Sequence, residues 1–97
     1  MSMAAISLDH AVAIPEHVAH QKLDDELVLV NLDTSIYYGL NPVGTRLWEL
    51  LTEGGTLRAA RDRMADEYEV APDQLELDIL RLVGELEAKG LLTVRSA

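Results

Sequence analysis

The chain has 97 residues, no cysteine, no phenylalanine and a formal net charge of −9. That length holds one domain with one modest core, and with aromatic residues at 4% the core must be built from Leu, Val, Ile and Ala. A disulfide framework, a thiol nucleophile and a thiolate zinc site are excluded, and the acidity opposes nucleic acid and anionic membrane surfaces.

No apolar run is long enough for a transmembrane helix. Met1 to Leu8 lacks the basic start and long apolar stretch of a secretory signal. The cysteine-free composition fits a reducing cytoplasm, which is the expected location.

Residues 1–11 show no period and are expected to form a flexible arm ahead of a domain over residues 12–97. His17 to Leu23 alternates weakly, as a strand would, and Asp24-Asp25 signals a turn. Leu27 to Leu32 is apolar almost throughout, the pattern of a strand largely buried or covered on both faces. Asp33-Thr34-Ser35 makes a tight connection to an antiparallel partner, Ile36-Tyr37-Tyr38. These segments read as a three-stranded meander.

Helices follow. Asn41 is a good N-cap and Pro42 suits the first helical position, where a missing N–H costs nothing. Val43, Leu47, Leu50 and Leu51 then form one face, and Gly54-Gly55 stops the helix. Thr56 caps a second helix with Leu57, Ala60, Met64 and Tyr68 on one stripe. Asp73 and Glu76 have capping-box spacing for a third helix, with Pro72 at its first position as the competing boundary. That helix carries Leu75, Ile79, Leu82, Val83 and Leu86 on one face and ends at Gly90. Leu91 to Arg95 is a short strand or an extended tail.

The third helix has a second stripe, Leu77, Leu80, Gly84 and Ala88, with Asp78, Arg81 and Glu85 on the flank between the two. One core takes both stripes, or one edge lines a groove for a partner. The expected fold class is α+β and winged-helix-like: a three-stranded antiparallel sheet followed by three helices.

Chemistry is sparse. His10, His17 and His20 are the only imidazoles, and on a strand His17 and His20 would point to opposite faces, so no metal site is expected. The many carboxylates fall on presumed polar helix faces and in a turn. No Gly-x-Ser-x-Gly or phosphate loop occurs, so neither an enzyme nor a cofactor is expected. Arg58, Arg61 and Arg63 on the second helix could meet DNA phosphates, as in a winged-helix transcription regulator. Asp62, Asp66 and Glu67 interleave with them, however, and i to i+4 pairs such as Arg63 with Glu67 fit better. Tyr37 and Tyr38 alternate across their strand, so one faces the core and the other can be exposed to wall a pocket. If that strand is the sheet edge, its free N–H and C=O groups can accept an extended peptide.

Leu29-Val30-Asn31-Leu32, Tyr37-Tyr38-Gly39-Leu40-Asn41, Leu47-Trp48-Glu49-Leu50-Leu51-x-x-Gly54 and Asp78-Ile79-x-x-Leu82-x-x-x-Leu86-x-x-x-Gly90-Leu91-Leu92 resemble the PqqD-like family. Its members are recognition elements for ribosomally made, modified peptides, and the similarity spans roughly residues 14–94. The wording Tyr-Tyr-Gly-Leu-Asn-Pro-Val-Gly and Leu-Trp-Glu-Leu-Leu is most similar to the stand-alone members from lasso peptide clusters.

The resemblance implies a non-catalytic adaptor that binds a precursor's leader segment and presents it to a processing enzyme. In lasso systems that enzyme is a leader peptidase of the transglutaminase-like cysteine protease type. It implies a leader held as an added strand beside the third strand, here Ser35, Ile36, Tyr37 and Tyr38, in a groove completed by the third helix. Asp78 matches the family's recurrent acid, with Arg81, Leu82 and Glu85 near it. Which edge of that helix faces the groove stays open at this level, as does oligomeric state. Other members serve radical-enzyme pathways. An exposed strand edge could also pair with itself or another protein.

Overall fold

The computed structural model describes residues 6–96. Five strands and three helices follow in the order β1 (His10–Ala13), β2 (Val18–Leu23), β3 (Glu26–Asn31), β4 (Ile36–Leu40), α1 (Pro42–Thr52), α2 (Leu57–Glu67), α3 (Pro72–Ala88) and β5 (Thr93–Ser96). β2, β3 and β4 form the expected antiparallel meander, in that spatial order. A second, two-stranded sheet pairs β1 with β5. The fold class is the expected α+β arrangement of a three-stranded sheet and three helices.

Register assigns the two faces of the meander. Leu29 stands opposite His20 and Tyr38, and Leu27 opposite Lys22 and Leu40. Leu27, Leu29 and Leu40 are buried, and Lys22 Nζ donates to Glu49 Oε2 of α1 at 2.8 Å. This face therefore meets the helices. Val28 and Val30 alternate to the opposite face and are only half-buried. The strand, expected to be covered on both faces or at least largely buried, is buried on one face and half-buried on the other.

Each helix begins where its sequence dictates. Asn41 Oδ1 accepts from the Gly44 N–H at 2.8 Å, and Thr56 Oγ1 accepts from the Ala59 N–H at 3.2 Å. α3 starts at Pro72, with Ala71 at the cap position and no side-chain cap. The capping box expected from Asp73 and Glu76 does not form, and Glu76 accepts from Arg61 Nη1 of α2 instead. Gly54 and Gly55 carry φ of 101° and 91°, which ends α1.

The core is aliphatic, as composition required. Leu47, Leu50 and Leu51 from α1 meet Leu57, Ala60 and Met64 from α2 and Leu75, Ile79, Val83 and Leu86 from α3, with Trp48 among them. Three members of the expected core stripes stand apart: Val43 is 45% exposed, and Tyr68 and Leu82 are only partly buried.

The arm expected over residues 1–11 is different in its described part. Leu8 and Ala11 are buried, the Leu8 carbonyl accepts from the Arg58 N–H, and β1 runs from His10 against β5. Residues 1–5 lie outside the described residues. The carboxy-terminal segment, left as strand or tail, is a strand because β1 pairs with it.

Asn31, at the end of β3, is a buried polar side chain with every bonding group used. Its Oδ1 accepts from the Asp33 and Thr34 N–H groups at 3.0 and 3.2 Å, and its Nδ2 donates to the Lys89 and Gly90 carbonyls at 3.2 and 3.3 Å. His17 Nε2 donates to the same Gly90 carbonyl at 3.2 Å. Gly90 has φ of 71°, and a Cβ there would lie 2.7 Å from Asn31 Nδ2. Asn31→Ala is expected to cost about 2–3 kcal/mol through unpaired buried groups, and Gly90→Ala at least about 1–2 kcal/mol from the left-handed backbone alone. Urea denaturation of the double variant tests the contact: its loss should fall short of the sum, because the methyl no longer meets an amide. Strict additivity would show that the two residues do not meet.

Candidate functional site

β4 is an edge strand. One side pairs with β3, and among the described residues no strand pairs with its other side. Beside that free side lies a groove of about 380 Å³. Its sheet wall is Tyr38, Gly39 and Leu40, and its helical wall is Asp78, Ile79, Arg81, Leu82 and Glu85. Asn41, Val43, Gly44 and Leu47 from the start of α1 close one end, and Met64 and Leu75 complete the lining.

The groove follows from local sequence. β4 passes into α1 through Asn41 alone, so the first turn of α1 is fixed to the strand. Thr45 Oγ1 reinforces this by donating to the Leu40 carbonyl at 3.2 Å. α3 is set by its buried stripe of Leu75, Ile79, Val83 and Leu86. With that stripe turned inward, Asp78, Leu82 and Glu85 project towards β4. Leu77, on the second stripe, is 64% exposed and outside the groove. The edge of α3 that lines this groove is therefore Asp78, Arg81, Leu82 and Glu85.

The residues expected at the site separate accordingly. Tyr38, Asp78, Arg81, Leu82 and Glu85 come together in the groove. Ser35, Ile36 and Tyr37 do not line it. Ser35 belongs to the β3–β4 turn, with φ of 62°, and its N–H bonds back to the Asn31 carbonyl at 2.7 Å. The strand begins at Ile36 and extends two residues further than expected, to Leu40. Tyr37 is 72% exposed on the face shared with Val30. The groove wall is therefore the half-buried tyrosine, Tyr38, and not the exposed one. Leu40, Val43 and Leu47 also line the groove, Leu40 from the end of β4 and Val43 and Leu47 from the apolar face of α1. Their signal is that the helix follows the edge strand without a loop.

The charges on the rim are of both signs. Tyr38 Oη donates to Glu85 Oε2 at 2.7 Å, joining the two walls, and Lys89 Nζ lies 5.9 Å from the centre of the Tyr38 ring. Asp78 accepts from Gln74 Nε2 at 3.0 Å. Arg81 is 72% exposed and 3.6 Å from Asp78, so its guanidinium remains available to a ligand.

Arg46, Arg58, Arg61 and Arg63 are engaged with acids. Arg46 makes two 2.7 Å bonds to Glu67. Arg58 reaches Asp9 at 3.0 Å, and Arg61 reaches Asp62 at 3.0 Å and Glu76 at 3.3 Å. The pairing expected of Arg63 with Glu67 is present but long, at 3.9 Å. A basic face for DNA does not form on α2.

An unpaired strand flanking a groove of mixed polarity, with Leu40, Leu47 and Leu82 among charged and amide side chains, leaves backbone groups free to accept an added strand. The family model described as coenzyme PQQ synthesis protein D (PqqD) matches residues 26–92; the chain belongs to the PqqD family. It is also similar to a solved structure, TbiB1 in complex with the TbiA(beta) leader peptide, at 38% identity and a TM-score of 0.78. The match covers 81% of this chain and 92% of that one. No curated protein sequence matches the chain. Among the described residues no helix is long and apolar enough to cross a membrane.

The bond between the walls has a pH signature. The Glu85 hydrogen bond, then burial, then the Glu85 charge raise the Tyr38 pKa above the ordinary tyrosine value, with Arg81 opposing. Neutral Tyr38 is the bonded form. Its contribution is whole below the ordinary value and is lost as pH rises through the raised one. Wild-type protein should therefore exceed Tyr38→Phe in stability by up to about 1 kcal/mol at neutral pH, with the gap closing in alkali. Absorbance titration at 295 nm checks the cause: Glu85→Gln should lower the pH at which Tyr38 ionises. An unmoved titration would mean that the walls are not joined in solution.

Proposed function

We propose that the protein is a non-catalytic adaptor. It binds the leader segment of a ribosomally synthesised precursor peptide by strand addition along β4 and presents it to a processing enzyme. The observation that carries this reading is the free side of β4 beside a groove whose opposite wall is the Asp78–Glu85 edge of α3. Membership of the PqqD family supports it, and so does the leader peptide bound to the similar TbiB1.

In this reading the β4 backbone supplies affinity through ladder hydrogen bonds, and alternate leader side chains enter the groove. Leu82, Leu47 and Leu40 offer apolar contact, while Arg81 pairs with a leader carboxylate. The protein performs no chemistry of its own and holds no cofactor. The pathway we assign is lasso peptide maturation in the cytoplasm, with a transglutaminase-like leader peptidase as the enzyme partner. Service in a radical-enzyme pathway is the alternative, distinguished by whose precursor leader binds.

The test is fluorescence anisotropy of a labelled leader from the precursor encoded beside this gene, with duplex DNA as control. Saturable leader binding and none to DNA is expected. Arg81→Glu should weaken binding about fivefold, the scale of a rim charge pair turned repulsive. Leu82→Ala should weaken it about tenfold through lost apolar contact. Equal affinity across both variants would move the peptide elsewhere, and binding to DNA alone would replace the adaptor by a regulator.

A further inference from the structure

The face of the meander turned away from the helices is an apolar surface with an acidic border. Val28 and Val30 form its centre, half-exposed, with Tyr37 72% exposed and Leu23 54% exposed on the flanking strands. Register places Tyr37 opposite Val30, and Leu23 opposite Glu26, on this one face. No described helix packs on it, and the molecule is 19 Å across its thinnest direction, room for a sheet and one helical layer. β3 therefore carries the apolar pattern of a strand covered on both faces while only one is covered.

The border has one sign. Asp24, Asp25 and Glu26 stand at the β2–β3 turn and Asp33 at the β3–β4 turn. The only Lys or Arg between Glu16 and Asn41 is Lys22, and its ammonium is directed to the helical face, on Glu49. A second copy of this chain would set acid against acid at both turns, at a net charge of −9 on each molecule. Nucleic acid and anionic lipid meet the same repulsion. The chemistry that fits is a protein surface with an apolar centre and a Lys/Arg border, for which Tyr37 is the aromatic anchor.

We infer that this outer sheet face is the docking surface for the processing enzyme, and that the enzyme presents a basic-bordered apolar patch to it. The inference rests on the adaptor reading and deepens it. A leader strand added to β4 would lengthen the sheet. Its side chains would alternate between the groove and the outer face. An enzyme seated on Val28, Val30 and Tyr37 would then touch the outward side chains of the leader as well. Two partners would occupy opposite faces of one sheet, and the protein would hold both without competition.

The experiment measures two affinities on one set of proteins: labelled leader by anisotropy, and a purified transglutaminase-like leader peptidase of a lasso peptide pathway by biolayer interferometry. Leu23→Thr, Val28→Thr and Val30→Thr are combined, replacements that keep strand propensity and lie outside the groove. The triple variant should bind leader as wild type does, with an unchanged circular dichroism spectrum, and bind peptidase at least tenfold more weakly. Asp25→Lys with Glu26→Lys should slow peptidase association and remove its salt dependence. Wild-type affinity of the triple variant for peptidase would overturn the inference, as would a wild-type protein that binds leader but no peptidase. A wild-type dimer that the triple variant dissolves would assign the face to a second copy instead. Failure of leader binding in the wild type would sink the adaptor reading itself, and is read in a separate arm.

Discussion

The Asn31 carboxamide fixes the distance between the two walls of the groove. It closes the turn that leads into β4 through its oxygen and holds the carboxy-terminal end of α3 through its nitrogen. A buried amide with four partners has one orientation, because any rotation strands a donor or an acceptor in a dry environment. Gly90 is required beside it, since only a residue without Cβ lets the helix end approach that closely. At the other end of the groove, Asn41 caps α1 directly after β4. The strand is pinned at both ends while its free side stays open, an arrangement that preorganises an edge without consuming its hydrogen bonds.

The distribution of charge separates two surfaces. On the helical layer four acids are paired locally: Glu67 with Arg46, Glu49 with Lys22, and Glu76 and Asp62 with Arg61. The Arg46 and Lys22 pairs hold Glu67 and Glu49 below the usual carboxylate range. The rim of the groove keeps both signs through Asp78, Arg81 and Glu85. The sheet border keeps only acid. A peptide reading the groove therefore meets a mixed field, whereas a partner approaching the outer face meets a negative one.

Local sequence carries the helices and the caps at Asn41 and Thr56, because amphipathic period and capping chemistry act within a few residues; it misleads at α3, where Asp73 and Glu76 form no capping box. Non-local pairing was less visible. β1 is four residues long and acquires its partner only when β5 returns from the far end of the chain, so His10–Ala13 has no signal of its own. Ser35 belongs to the tight connection that the local sequence indicates, and its left-handed backbone leaves it outside the strand that the resemblance implies. Alternation placed Tyr37 and Tyr38 on opposite faces but could not say which face the helices would cover. The same limit applies to α3: two stripes are evident, and only the burial of Leu75, Ile79, Val83 and Leu86 in the core turns the Asp78–Glu85 edge to the sheet. Continuous apolar character in β3 described the strand correctly and left undetermined whether its second cover belongs to this chain.

A protein that keeps a strand edge open must avoid pairing with itself through that edge. β4 has only five residues, and the turn before it departs from extended geometry at Ser35, which limits the length of ladder that a second copy could add. Charge does the rest. Two molecules at −9 repel over a Debye length of about 8 Å at physiological salt, and pairing through β4 would bring the Asp78 and Glu85 edges of both α3 helices together. A leader segment with fewer acids, or with a cation placed opposite Glu85, meets no such opposition. The acidity that contributes nothing direct to leader affinity thus acts on the competing state, and keeps the edge available for a different chain.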